Sequence, residues 1–271
     1  MCQLLGMNCN VPTDICFSFD GFCERGGRTG EHTDGWGIGF FEGRGCRLFL
    51  DANPSALSPV AEFVKRYPIK TYNAIAHIRK ATHGGVGLEN THPFKRELWG
   101  RYWLFAHNGE LQDFAPPSRG LFVPVGSTDS ERAFCLLLER LHAAFPQGMP
   151  PIDALLAALH PIIREIGAHG IFNFLMGNER FLFAHCSTKL QYLVRRAPFS
   201  TARLADKDVV VDFSTVTTPT DAVAIIATEP LTTNEKWIPM NPHELLVFFD
   251  GQPLAAARTG DTVPCADGGA R

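Results

Sequence analysis

Met1-Cys2-Gln3-Leu4-Leu5-Gly6 opens the sequence and sets a thiol one residue from its start. Methionine is generally excised before a residue as small as cysteine, so the expected mature chain begins with Cys2. Its free α-amine would then have an ordinary pKa of roughly 7.7–8.0, leaving a useful fraction neutral near pH 7. Nucleophile and base would sit on one residue, an arrangement that covalent catalysis uses. By position alone, Cys2 is better read as a chance small residue after methionine. The fold turns on which reading the rest of the chain supports.

The bulk composition narrows the field. The 271 residues are 45% hydrophobic, enough for a substantial core in one large domain or two small ones. A net charge of -3 with 20% charged residues, and no run rich in Lys or Arg, argues against nucleic-acid and membrane-surface partners. The first ten residues lack the basic flank and apolar stretch of a signal peptide, and no later run is long enough to span a bilayer. The cytoplasm is the expected compartment, and the eight cysteines read as reduced thiols there. Cys2, Cys9, Cys16 and Cys23 recur every seven residues. Zinc ligands usually pair two to four residues apart, and no Cys-x-x-Cys occurs, so no metal is expected.

Short apolar runs bounded by Gly, Pro, Asn or Asp dominate, and they read as strands. Trp36 to Glu42 and Arg47 to Asp51 flank Gly43-Arg44-Gly45 as a hairpin. Asn73 to Arg79 and Tyr102 to His107 read as buried strands. Ile171 to Met176 and Phe181 to His185 form a second hairpin, followed by Leu190 to Arg195, Val209 to Phe213, Ala222 to Ala227 and Glu244 to Phe249. Helical spacing marks Pro59 to Tyr67 and Pro151 to Ile166. Thr128-Asp129-Ser130-Glu131 is a capping box that opens a helix through Leu141. Two sets of strands with a few helices suggest stacked sheets covered by helices. No repeat or linker divides residues 1–251, and the composition of 252–271 suggests a loose tail.

Four further motifs give Cys2 its context. Asp34-Gly35-Trp36-Gly37 enters a strand, and His77-Ile78-Arg79-Lys80-Ala81-Thr82-His83-Gly84 leaves one. Ala106-His107-Asn108-Gly109-Glu110 leaves another, and Ser127-Thr128-Asp129-Ser130-Glu131 begins a helix. Singly each string is weak, and Asn-Gly alone would read as a type I′ turn. In this order behind Met-Cys-x-Leu-Leu-Gly, they make the chain resemble the class II glutamine amidotransferases, N-terminal-nucleophile hydrolases. The likeness is closest to their stand-alone bacterial members and weakens only after about Asp250.

The resemblance implies a four-layer α/β/β/α sandwich of two stacked, mainly antiparallel sheets. It implies that Cys2 attacks the side-chain amide of glutamine and passes through a γ-glutamyl thioester, with no cofactor. Arg79 matches the arginine that grips the substrate α-carboxylate, a task suited to a planar guanidinium. Asp129 matches the carboxylate that receives the α-ammonium. Asn108 and Gly109 match the oxyanion hole. Thr82 and His83 are expected to shape the substrate pocket, while His77 and His107 pack or hydrogen-bond structurally. Asp34 and Trp36 are expected beside the nucleophile as structural neighbours.

Two departures stand out. Many relatives carry Arg-Gly-Pro-Asp-Gly as a unit, whereas Gly27 to Thr33 separate Arg25-Gly26 from Asp34-Gly35 here, and Lys80 stands where an aromatic residue is usual. Both fall near the mouth of the site and leave the amide donor open. Family members usually carry a synthetase domain that consumes ammonia, and the resemblance leaves no room for one. Either a separate protein accepts ammonia, or the chain hydrolyses glutamine or another γ-glutamyl amide, as an ergothioneine-pathway-like amidohydrolase would. An N-terminal-Cys acylase would not need Arg79 and Asp129 as a clamp. A non-catalytic binding protein on this fold is the remaining alternative.

Overall fold

The computed structural model describes residues 2–81, 84–117 and 119–258. Seven strands form the first sheet: β1 (Gln3–Thr13), β2 (Trp36–Glu42), β3 (Gly45–Asp51), β4 (Thr71–Ile78), β9 (Gln191–Arg196), β12 (Ala222–Ala227) and β13 (Ile238–Pro239). Six form the second: β5 (Phe94–Leu98), β6 (Arg101–Leu111), β7 (Gly170–Gly177), β8 (Leu182–Cys186), β14 (Glu244–Phe249) and β15 (Gln252–Arg258). β10 (Thr201–Arg203) and β11 (Val210–Asp212) pair separately. The orders are β13-β9-β12-β1-β4-β2-β3 and β15-β14-β8-β7-β6-β5, with every neighbouring pair antiparallel. The helices are α1 (Cys16–Glu24), α2 (Pro59–Arg66), α3 (Asp129–Ala144) and α4 (Ile152–Gly167).

Period-two alternation along the strands sorts side chains into separate cores. From β1, Leu5 and Met7 join Phe19 and Phe22 of α1 and Ala61 and Val64 of α2. From β6, Trp103 and Phe105 pack with Phe134 and Leu137 of α3 and Leu155 and Leu159 of α4. The opposite faces meet each other: Leu4, Ile75 and Ile226 of the first sheet pack on Leu104, Ala106 and Leu175 of the second. Three cores between four layers make the α/β/β/α sandwich that the family resemblance implied.

Both hairpins, β12 and β14 stand where the sequence places them, and α3 continues three residues beyond Leu141 to Ala144. The cap of α3 is half of the expected box. Thr128 Oγ1 accepts from Glu131 N at 3.2 Å, but the Glu131 carboxylate turns away to Gly126 N at 2.7 Å and to Arg96. Several elements are unexpected, among them β1 and α1. β1 is interrupted in sequence by polar Asn8, whose carboxamide is buried and partnered by Arg180 O at 3.2 Å and Gly251 N at 2.9 Å. α1 contains Gly21 and has no side-chain cap, so burial of Phe19, Phe22 and Cys23 fixes it rather than helix propensity. At the C-terminal side, β15 pairs with β14 from Gln252 to Arg258, over the first part of the stretch whose composition suggested a loose tail. Backbone pairing on an exposed edge supplies an order that Ala-rich composition does not announce. Among the described residues no helix is long and apolar enough to cross a membrane.

Candidate active site

Cys2 stands immediately before β1, the central strand of the first sheet, and its thiol meets the turn that leaves β4. The Lys80 backbone N–H donates to Cys2 Sγ at 3.3 Å, and Lys80 O lies 3.4 Å from the same sulfur. Asp34 and Gly35 hold this turn from behind. Asp34 Oδ2 accepts from Ala81 N at 2.8 Å, and Arg79 N donates to Gly35 O at 2.8 Å. Gly35 has φ of +110°, a conformation that excludes most side chains. Burial pushes the Cys2 thiol above its ordinary value; the Lys80 N–H and the Arg79 charge oppose the rise, and Asp129 adds to it. A thiol placed this way needs a base to become a nucleophile near neutral pH.

Asn108 and Gly109 lie on β6, in the other sheet. Asn108 Nδ2 donates to Thr228 Oγ1 at 3.3 Å, and that oxygen also accepts from Leu4 N at 2.9 Å. Thr228 N returns a bond to Leu4 O at 3.1 Å. Thr228, one residue beyond β12, therefore ties the Cys2 strand to Asn108 across the interior between the sheets. Its bond occupies one of the two N–H groups of the Asn108 amide. Opposite Asn108 in the β6–β7 register is the buried Asn173. Asn173 Nδ2 donates to Asn108 O at 3.0 Å, while its Oδ1 accepts from the backbone N–H groups of Ser187, Thr188 and Lys189. At Gly109 a Cβ would stand 1.8 Å from Ile171 O, so no side chain fits without moving β7.

Arg79 is buried, and its guanidinium donates to Gly85 O at 2.9 Å and to Gly84 O at 3.2 Å. Asp129, the first residue of α3, accepts from Leu111 N at 2.8 Å through Oδ2. Thr82 and His83 lie outside the described residues. The histidines of the motifs face inward. His77 Nε2 bonds His107 O at 3.1 Å; His107 bonds Ile171 O at 2.9 Å and Ser130 Oγ at 2.8 Å through its two nitrogens. A carbonyl can only accept, so His107 carries its proton on Nε2 and accepts from Ser130 on Nδ1. Burial lowers the pKa of both, that of His77 to about 3, and keeps them neutral. Trp36 is fully buried against Phe19 and belongs to the core.

Two cavities open at this end of the sandwich. One of about 710 Å³ is bounded by Gly84, Glu110, Gln112, Ser127, Asp129 and Arg132. The other, of about 350 Å³, is bounded by Cys2, Glu31, Lys80, Lys189, Thr228 and Glu229. The structure thus links Cys2 with Asn108 through Thr228, and sets Asp129 with the Gly84 carbonyl that Arg79 holds. Sequence reasoning missed Thr228 and Asn173. The one signal for Thr228 was a hydroxyl closing the wholly apolar run Ala222 to Ala227. Asn173 had none, because a buried asparagine within a strand looks like a break in the pattern.

The model of the class II glutamine amidotransferase family matches residues 1–265. YafJ of Escherichia coli K12, whose name assigns it provisionally to the glutamine amidotransferases, is 52% identical over 252 residues, covering 93% of this chain and 99% of that protein. A similarly named protein of Haemophilus influenzae Rd is 49% identical, covering 94% of this chain and 86% of its own length. A crystal structure described as a predicted glutamine amidotransferase from Pseudomonas aeruginosa PA01 superposes with a TM-score of 0.75 at 48% identity, covering 93% of this chain and 99% of that one. Glutamine phosphoribosylpyrophosphate amidotransferase of B. subtilis shares the fold at a TM-score of 0.58 and 15% identity, with 96% of this chain matched to 50% of that one. Sequence, fold and the ordered motifs therefore agree that this chain belongs to the class II glutamine amidotransferases.

Proposed function

We propose that the chain releases ammonia from the side chain of glutamine, with Cys2 as an N-terminal nucleophile after loss of Met1. The observation that carries this reading is Thr228, which bonds both Leu4, two residues from the thiol, and the Asn108 amide. The Cys2 α-amine takes the thiol proton, and the thiolate attacks the δ-carbon of glutamine. Asn108 Nδ2 and the Gly109 N–H stabilise the tetrahedral oxyanion; one such donor is typically worth about 10²–10³ in rate. As the C–N bond breaks, the proton held by the amine goes to the departing ammonia. The amine then activates a water that hydrolyses the thioester, giving glutamate and a free thiol.

Arg79 grips the α-carboxylate and Asp129 the α-ammonium in this reading, which selects a free γ-glutamyl group over glutamine within a peptide. The Gly84 and Gly85 carbonyls now on Arg79 give way to the substrate carboxylate, a stronger acceptor for a guanidinium. Thr82 and His83, between Arg79 and Gly84, shape the pocket. Ammonia passes to water or to a separate accepting protein. The test pairs N-terminal sequencing with a glutaminase assay and intact-mass detection of the thioester. Cys2→Ala should lose both thioester and activity, and a peptide left in front of Cys2 should do nearly as much harm. Undiminished glutaminase in Cys2→Ala would refute the proposal.

A further inference from the structure

The cavity on the Cys2 side is far larger than ammonia requires. It measures about 350 Å³, whereas a water-sized molecule takes roughly 30 Å³ in the liquid. In the proposed reading Asp129, which bounds the other cavity, holds the glutamyl α-ammonium, and a substituent on the amide nitrogen at Cys2 would then face the Cys2 cavity. Its lining carries two ion pairs. Lys80 Nζ meets Glu31 at 2.8 Å, and Lys189 Nζ meets Glu229 at 2.6 Å.

These pairs are exposed, and exposed pairs hold their partners weakly, so a substrate can claim either member at little cost. The chain around them is firmly built. Buried Asn173 fixes the turn that carries Lys189 by accepting the N–H groups of Ser187, Thr188 and Lys189, and the same carboxamide donates to Asn108 O. Lys80 is fixed through its neighbour Ala81 on Asp34 and through its own N–H on Cys2 Sγ. Two cations and two anions therefore line this cavity, and the backbone of both lysines is tied to Cys2 or, through Asn173, to Asn108.

We infer that this vestibule binds the amine half of an N-substituted γ-glutamyl amide, and that this half is zwitterionic: an amino acid joined through a side-chain amine, with its own carboxylate and ammonium free. The inference rests on the proposed Cys2 thioester chemistry. The carboxylate takes Lys189 or Lys80, and the ammonium takes Glu229 or Glu31. Cys2 attacks the γ-carbonyl carbon, the C–N bond breaks, and the amine leaves with the proton held by the Cys2 α-amine. Water then frees glutamate from the thioester.

Steady-state kinetics on the mature protein with ε-(γ-L-glutamyl)-L-lysine, γ-glutamyl-alanine, γ-glutamyl-putrescine, γ-glutamyl-ethylamide and L-glutamine test this. The expected order places the lysine isopeptide at least tenfold above glutamine in kcat/KM, with the singly charged substituents between and the neutral ethylamide no better than glutamine. Lys189→Gln and Glu229→Gln should each lower the isopeptide-to-glutamine ratio at least fivefold. A Cys2 thioester from glutamine with no preference for the isopeptide would overturn the vestibule while leaving the proposed function standing. A singly charged or neutral probe that outranks the isopeptide would overturn it as well. No thioester from any of the five would remove the underlying reading too.

Discussion

At the scale of single residues, Thr228 and Asn108 form a hydrogen-bonded unit that, in the proposed mechanism, separates orientation from charge stabilisation. If Asn108 stabilises the oxyanion as proposed, Asn108→Ala should lower kcat for glutamine by about 10²–10³ with little change in KM. Thr228→Val should act through Asn108: the carboxamide loses its anchor, Leu4 N–H is left buried without its acceptor, and kcat falls about tenfold. The lost Leu4 bond alone costs about 1–3 kcal/mol of stability. Thr228→Ser keeps the oxygen and should restore kcat, whereas a failure of serine to rescue would show that the methyl group's packing matters more than the bonds. Cys2, Arg79, Asn108, Gly109 and Asp129 could be named as candidates from sequence because their motifs are short, local and ordered. Thr228 was not, since its importance comes from a contact 120 residues away in sequence.

Elements were legible where periodicity and turn chemistry agreed. β2 and β3 alternate around Gly43, whose φ of +58° suits a turn glycine, and they were read almost to the residue. β1 was not, although it is the central strand that delivers Cys2. Its Gly6 and Asn8 break the apolar run, and only tertiary partners on Arg180 and Gly251 make Asn8 acceptable inside. α3 shows the limit of motif reading in another way. Thr-Asp-Ser-Glu located its start, yet Glu131 serves the preceding loop through Gly126 and Arg96. Thr128→Ala should therefore cost about 1 kcal/mol from the cap itself, read as a lower midpoint in chemical denaturation. Because Asp129 is the first residue of that helix, the same variant should raise KM for glutamine.

Across the whole molecule, the interior carries neutral imidazoles. Burial lowers the pKa of His77 to about 3 and of His185 to about 4, and holds His92 and His107 below their ordinary value as well. Unfolded histidine titrates near 6.5, so the unfolded chain takes up protons first as the pH falls. Stability is then full above about pH 6.5 and drains away toward the folded values near 4 and 3. The urea midpoint should drop between about pH 7.5 and about pH 5, a range that lies above the usual carboxylate titrations. An unchanged midpoint would contradict the neutral, buried assignment. The sandwich also has a mechanical side. In the proposed mechanism the nucleophile stands just before a strand of one sheet and the oxyanion donor lies on the other, and one hydroxyl spans the seam between them. Chemistry at Cys2 is accordingly a gauge of shear: a slip of one slab past the other would idle the catalyst while both sheets kept every rung of their own ladders.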